Sequence, residues 1–146
     1  MGGESLKVVE DLISRGLIKR CVFSEEMYKK EFGVGVRDLE SAKISFENGN
    51  YKWATVQAYY AIFHVVRALI YKSGYREKSH IALRDIFKEL YIKTEKLPIV
   101  TYESLKEGMY LREAADYENE YSQEDAENII ISVSESLKEI ENLINS

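Results

Sequence analysis

From Tyr51 to Ser73 the chain reads YKWATVQAYYAIFHVVRALIYKS without a glycine or proline, and Gly74 follows. A run this long and free of breakers predicts one helix over Tyr51–Ser73, closed by the glycine. Its two sides differ. Ala58, Ile62, Val66 and Leu69 form an aliphatic stripe. Trp53, Gln57, Tyr60, His64, Arg67 and Tyr71, spaced 4, 3, 4, 3 and 4, form an opposite stripe of aromatic and polar groups. A surface helix carries one apolar stripe, so a helix apolar on both sides is expected to be buried on both sides. This segment is therefore the central helix of a bundle, and its buried polar groups require partners.

The flanking segments supply the other helices. Residues 5–15 predict a short helix through Leu6, Val9 and Ile13, with Gly16 near its end. Ser24 before Glu25 and Glu26 marks another start. The FGVGV stretch, Phe32 to Val36, is expected to weaken or bend that helix, because two glycines lower helix stability. A further helix runs to about Glu47 through Leu39, Ala42 and Phe46, and Asn48–Asn50 forms a turn. Residues 80–92 are amphipathic through Leu83, Ile86, Phe87 and Leu90. The one proline, Pro98, precedes a helix to about Asp116. Ser122 with Asp125 resembles a capping box for a last helix carrying Ala126, Ile130, Val133, Leu137, Ile140 and Ile144. The expected fold is all-α: an antiparallel up-and-down bundle of four long helices with short N-terminal helices. It fills one domain, residues 1–146, with its core at about 36–145 and an N-terminal helical extension over 1–35.

Several function classes are excluded at this point. The most apolar stretch, AYYAIFHVVRALIY, contains His64 and Arg67 and is too short to span a bilayer. MGGESLKVVEDL lacks the basic and apolar regions of a signal peptide, so a cytoplasmic location is expected. A single cysteine, Cys21, rules out an internal disulfide. One Cys and two His, His64 and His80, imply no metal site, and no cofactor motif is present.

Net charge is −5, unevenly spread. Residues 67–96 hold eight Lys/Arg against four acids, whereas residues 113–146 hold ten acids against Lys138. A basic middle and an acidic tail point to a polar partner, to two copies facing each other, or simply to solvated helix faces. His64, in mid-helix, is a core histidine or a base. Arg67 can pair with a carboxylate such as Asp116 or receive a phosphate. Arg76, Lys78 and His80 form a basic turn suited to phosphates. Arg112 and Asp116 are i, i+4 neighbours. Tyr117 lies about 140° around an ideal helix from Arg112, so the two converge only where the helix ends or a second subunit intervenes.

These residues together resemble a known family. YKWATVQAYYAIFHVVRALIYKSGYREKSH followed by LREAADY looks like the HEPN domain in its small stand-alone bacterial and archaeal form, over about Val36 to Leu143. The resemblance implies an antiparallel helical bundle that forms a homodimer. Many HEPN proteins are metal-independent endoribonucleases whose signature is Arg, four to six residues, then His, each subunit contributing a copy. Arg112 matches that arginine, and Tyr117 stands at the histidine's place. A tyrosine with a pKa near 10 is a poor general base at neutral pH. It can still stack on a base or donate a hydrogen bond. Other members are paired with a separate minimal nucleotidyltransferase in toxin–antitoxin or similar complexes.

The expectation is thus a dimer that binds nucleotide or RNA at Arg112, Asp116 and Tyr117, with Tyr60, Arg67, Arg76, Lys78 and His80 bordering the cleft. It would be an accessory or toxin-like partner of a nucleotidyltransferase. Two alternatives stand beside it: a ribonuclease that uses Arg112 with Tyr117, or with His64 or His80 substituting as the base, and a structural dimer whose RxxADY residues lock a helix end.

Overall fold

The computed structural model describes residues 3–146. Helix α1 (Gly3–Ser14) is followed by Gly16, whose φ of 72° lies in the left-handed region that glycine tolerates. A short strand, β1 (Ile18–Arg20), then leads to α2 (Glu25–Glu47). Ser24 caps α2, its Oγ accepting from the Met27 amide at 3.2 Å. The helix runs unbroken through Gly33 and Gly35, contrary to the expected bend. Gly35 is there because the next helix, α3 (Tyr51–Lys72), passes too close for a side chain. A Cβ at this position would lie 2.6 Å from Val65 Cγ1 and 2.7 Å from the Ala61 carbonyl oxygen.

The central helix α3 (Tyr51–Lys72) packs on α2, α5 (Ile99–Tyr117) and α6 (Gln123–Ile144). Its aliphatic stripe is wholly buried: Ala58, Ile62, Val66 and Leu69 have no exposed surface. Such burial stabilises by roughly 25 cal/mol per Å² of apolar surface, making this stripe the spine of the core. The opposite stripe departs from expectation. Tyr60, His64 and Arg67 are only half-buried and Trp53 is exposed, so this face is partly open to solvent.

After Gly74 (φ 89°) the chain forms β2 (Tyr75–Glu77), which pairs antiparallel with β1. The register is Ile18 with Glu77, Lys19 with Arg76 and Arg20 with Tyr75. This pair of strands, distant in the chain, was not expected, since three-residue strands carry no readable alternation. It converts the expected GYREKSH turn into a strand that sends Glu77 inward and Arg76 and Lys78 outward.

Helix α4 (His80–Phe87) is capped by Ser79, whose Oγ accepts from the Ala82 amide. The expected single helix over 80–92 instead becomes α4 followed by a π-helical turn at Lys88–Ile92, where the Lys93 amide donates to the Lys88 carbonyl. The wider turn rotates Tyr91 inward. There its hydroxyl meets Ser73 Oγ and the Leu69 carbonyl, while Leu90 stays partly exposed. Pro98 precedes α5 (Ile99–Tyr117), and Ser122 caps α6 (Gln123–Ile144) by accepting from the Asp125 amide at 3.0 Å. Turns at 48–50 and 118–122 reverse the chain between the paired long helices. All six apolar positions expected to face inward on α6 are buried. Lys72 Nζ closes its end by donating to the carbonyls of Leu143 and Ser146. Val9, Leu12 and Ile18 belong to the same buried cluster as α3 and α6. The protein is an all-α bundle of four long helices, α2, α3, α5 and α6, carrying one minimal sheet.

Candidate functional site

Gly108 allows α5 to lie against α3: a Cβ there would be 3.3 Å from the Tyr59 ring and 3.5 Å from its Cα. One turn later Arg112 hangs over the α3 aromatics. Its Nη2 donates to Tyr60 Oη at 3.1 Å. Its guanidinium carbon lies 5.5 Å from the Tyr117 ring centre, 5.6 Å from that of Tyr60 and 6.0 Å from that of Tyr59. Arg112 Nε sits 3.1 Å from Asp116 Oδ2, but off the line of a good hydrogen bond, so this contact is chiefly charge on charge. Tyr117 is the last residue of α5, which lets its ring turn back toward Arg112 within one subunit. It remains 75% exposed. Arg112, Asp116, Tyr117 and Tyr60 are therefore brought together.

His80 joins this group from α4. Its Nδ1 is 2.5 Å from Tyr59 Oη, and its ring centre is 4.4 Å from that of Phe63. Burial, then the charges of Arg112 and Arg67, lower the His80 pKa below the ordinary histidine value. Burial raises the Tyr59 pKa, so its hydroxyl stays protonated at neutral pH. In the tautomer whose Nδ1–H donates to Tyr59, the neutral ring leaves Nε2 with a free lone pair.

His64 and Arg67 lie on the same face of α3 but answer to other partners. His64 Nδ1 is 2.7 Å from Glu31 Oε1, and Nε2 is 3.7 Å from Asp38 Oδ2, so both ring nitrogens face carboxylates of α2. Burial pushes the Glu31 carboxyl up, but His64 and Arg67 outweigh it and hold the group below the ordinary glutamate value. Arg67 does not pair with Asp116. Its Nε and Nη2 donate to Glu77 Oε2 at 2.8 and 2.5 Å, and its guanidinium stacks 4.5 Å over Phe63. The side chain of Glu77 is 3% exposed, and its Oε1 has no partner. β2 delivers this carboxylate inward, which explains why the sequence did not reveal the pair. Arg76 and Lys78, on the other side of the same strand, are exposed and line an opening with Lys19 and Arg20, apart from Arg112.

Sequence reasoning missed Tyr59, Phe63, Glu31, Asp38 and Glu77. Only Tyr59, adjacent to Tyr60, carried a local signal. Among the described residues no group of three or more His, Cys, Asp or Glu is placed to hold a metal ion. Among those residues no helix is long and apolar enough to cross a membrane.

What remains is a cluster of one shielded arginine, an exposed tyrosine and a histidine of lowered pKa, suited to an aromatic or phosphate-bearing ligand. The chain is similar to two proteins of Methanocaldococcus jannaschii. "Putative toxin MJ0142" is 27% identical over 117 residues, covering 76% of this chain and 80% of that protein. "Putative toxin MJ0605" is 32% identical over 98 residues, covering 66% and 73%. The HEPN domain profile matches residues 34–143, the segment that holds α3, the Arg112 helix and nearly all of α6. The chain belongs to the HEPN domain family.

Proposed function

We propose that this toxin-like HEPN protein acts as a homodimer that binds RNA or a nucleotide at Arg112, in partnership with a separate minimal nucleotidyltransferase. The observation that carries the reading is the Arg112 guanidinium, held over three tyrosine rings, one of them largely solvent-exposed. Tyr60 and Asp116 fix its direction, so it meets a phosphate preorganised. Tyr117 offers a face on which a base stacks, an interaction worth about 1–3 kcal/mol per base. Tyr110 and Tyr117, two turns apart on one stripe of α5, are both exposed and suit a contact with a second copy. The toxin names of the two relatives agree with this direction.

One observation favours a second reading, a metal-independent endoribonuclease. His80 and Arg112 both border Tyr59, and the His80 pKa is lowered, so a neutral imidazole stands near the arginine. His80, rather than the carboxylate-bound His64, is then the substitute base.

Purified protein mixed with a labelled RNA pool separates these readings. Retention without cleavage, lost in Arg112→Ala, is the expected result. Cleavage that requires both Arg112 and His80 transfers the assignment to the enzyme. Absence of both binding and cleavage by intact dimer leaves Arg112 and Asp116 as a helix-end lock, and the ligand-binding reading falls.

A further inference from the structure

The cations of the β1–β2 pair border an opening that Arg112 does not line. Lys19 and Arg76 are direct cross-strand partners, and both are exposed. Like charges directly opposite each other destabilise a strand pair, so this arrangement works against folding. Lys78 continues on the same side, its amide bonded to the Leu17 carbonyl at 2.9 Å. Among the described residues no carboxylate lies within ion-pair distance of Lys19, Arg76 or Lys78. Glu77, between the last two, is turned inward to Arg67. Arg20, at the edge, is shared with Glu10 in an exposed pair of the kind that contributes little. These side chains border an opening of about 760 Å³. Across Arg20 lies a second opening of about 490 Å³, bordered by Phe23, Tyr71 and Tyr75, with Phe23 and Tyr71 stacked at 3.9 Å. In a chain whose net charge is −5, an unneutralised basic strip beside aromatic rings is a local feature, not a bulk one.

We propose that the outer face of the β1–β2 pair, through Lys19, Arg76 and Lys78 with Arg20 at its edge, is a contact surface for the phosphodiester backbone of single-stranded RNA. It rests on the RNA-binding reading above and adds a track separate from Arg112. The aromatic rings of the second opening, which Arg20 joins to the strip, favour a single-stranded nucleic acid over an acidic polypeptide, since bases stack where carboxylates cannot. Each phosphate neutralised on a single strand contributes about 0.7 to the log–log salt slope.

The test is fluorescence anisotropy with an end-labelled single-stranded RNA across a salt series, using wild type, Lys19→Gln/Arg76→Gln and Arg112→Ala. Losing two phosphate contacts lowers the magnitude of the slope by about 1.4 and the affinity about 25-fold at 0.1 M salt. The double variant should also melt no lower than wild type, because it relieves the cross-strand repulsion; this separates lost contacts from lost fold. A wild-type slope in that variant, with binding lost in Arg112→Ala, overturns the β1–β2 surface and leaves the Arg112 reading standing. Weakened binding in the double variant with full binding in Arg112→Ala does the reverse. Displacement of the RNA by polyglutamate at equal charge concentration assigns the strip to an acidic polypeptide and overturns the proposal.

Discussion

Two glycines of α2, Gly33 and Gly35, should respond to alanine with opposite sign. Both lie inside the helix, where alanine is favoured over glycine by about 1 kcal/mol. At Gly33 the new Cβ meets only Arg37 Nη1 at 3.6 Å, the end of an exposed side chain that can move aside. Gly33→Ala should therefore raise stability by about 1 kcal/mol, a gain of roughly 3–4 °C in Tm for a chain of this size. At Gly35 the Cβ would approach Val65 Cγ1 to 2.6 Å and the Ala61 carbonyl oxygen to 2.7 Å. A side-chain methyl can rotate, whereas a helical carbonyl cannot, so α2 and α3 must separate by several tenths of an ångström. That strain falls on the most extensive helix pair of the fold. Overpacking costs about 1–3 kcal/mol, and the backbone clash places this case at the upper end. After subtraction of the propensity gain, Gly35→Ala should lose about 2 kcal/mol, a fall of roughly 6–8 °C. Thermal and urea unfolding of both variants measure the difference. Equal shifts of the same sign would show that the α2–α3 distance is not set at Gly35.

Removing one partner of the Arg67–Glu77 pair should cost more than removing both. Glu77→Ala strands a half-buried guanidinium and should lose about 3 kcal/mol, while Arg67→Met/Glu77→Leu should recover most of it in chemical denaturation; a double variant as weak as the single would count against the pairing. His80 should titrate below the ordinary histidine value by NMR, and Arg112→Met should move it upward without removing the burial contribution. Since its folded pKa is depressed, the unfolded chain binds the proton more readily, and stability is lost as pH falls through and below about 6.5. A His80 that titrates at or above that value would refute the placement. Glu31 has the opposite dependence on its partners: held low by His64 and Arg67, it contributes above the unfolded glutamate pKa and loses that contribution as pH falls through its folded value. Glu31→Gln should therefore narrow the stability gap between neutral and acidic pH, which unfolding curves at several pH values would reveal.

The Arg112 site was half legible in the sequence. Arg112, Asp116 and Tyr117 stood out as one cluster on one helix end, and Tyr60 stood out on the polar stripe; the structure joins all four. His80 was grouped with Arg76 and Lys78 because they are neighbours in the chain. Strand alternation sends Arg76 and Lys78 outward, and the Ser79 cap starts α4 with His80 turned to Tyr59 and Phe63. Lys19 and Arg20 had no sequence signal, because their neighbours across the strand pair come from more than fifty positions away.

Sequence alone determined the long helices and several of their ends. The breaker-free run at 51–73, the serine caps at Ser24 and Ser122 and the six inward positions of α6 are local features, set by hydrogen bonds and periodicity within a few residues. Tertiary structure alone decided the strand pair, the π-helical turn, the carboxylate that receives Arg67 and the closeness of α2 to α3. Each of these depends on which surfaces meet once the helices pack. A three-residue strand has no periodicity to read, a glycine at a helix crossing looks like a breaker, and a buried arginine takes the carboxylate that arrives beside it in space.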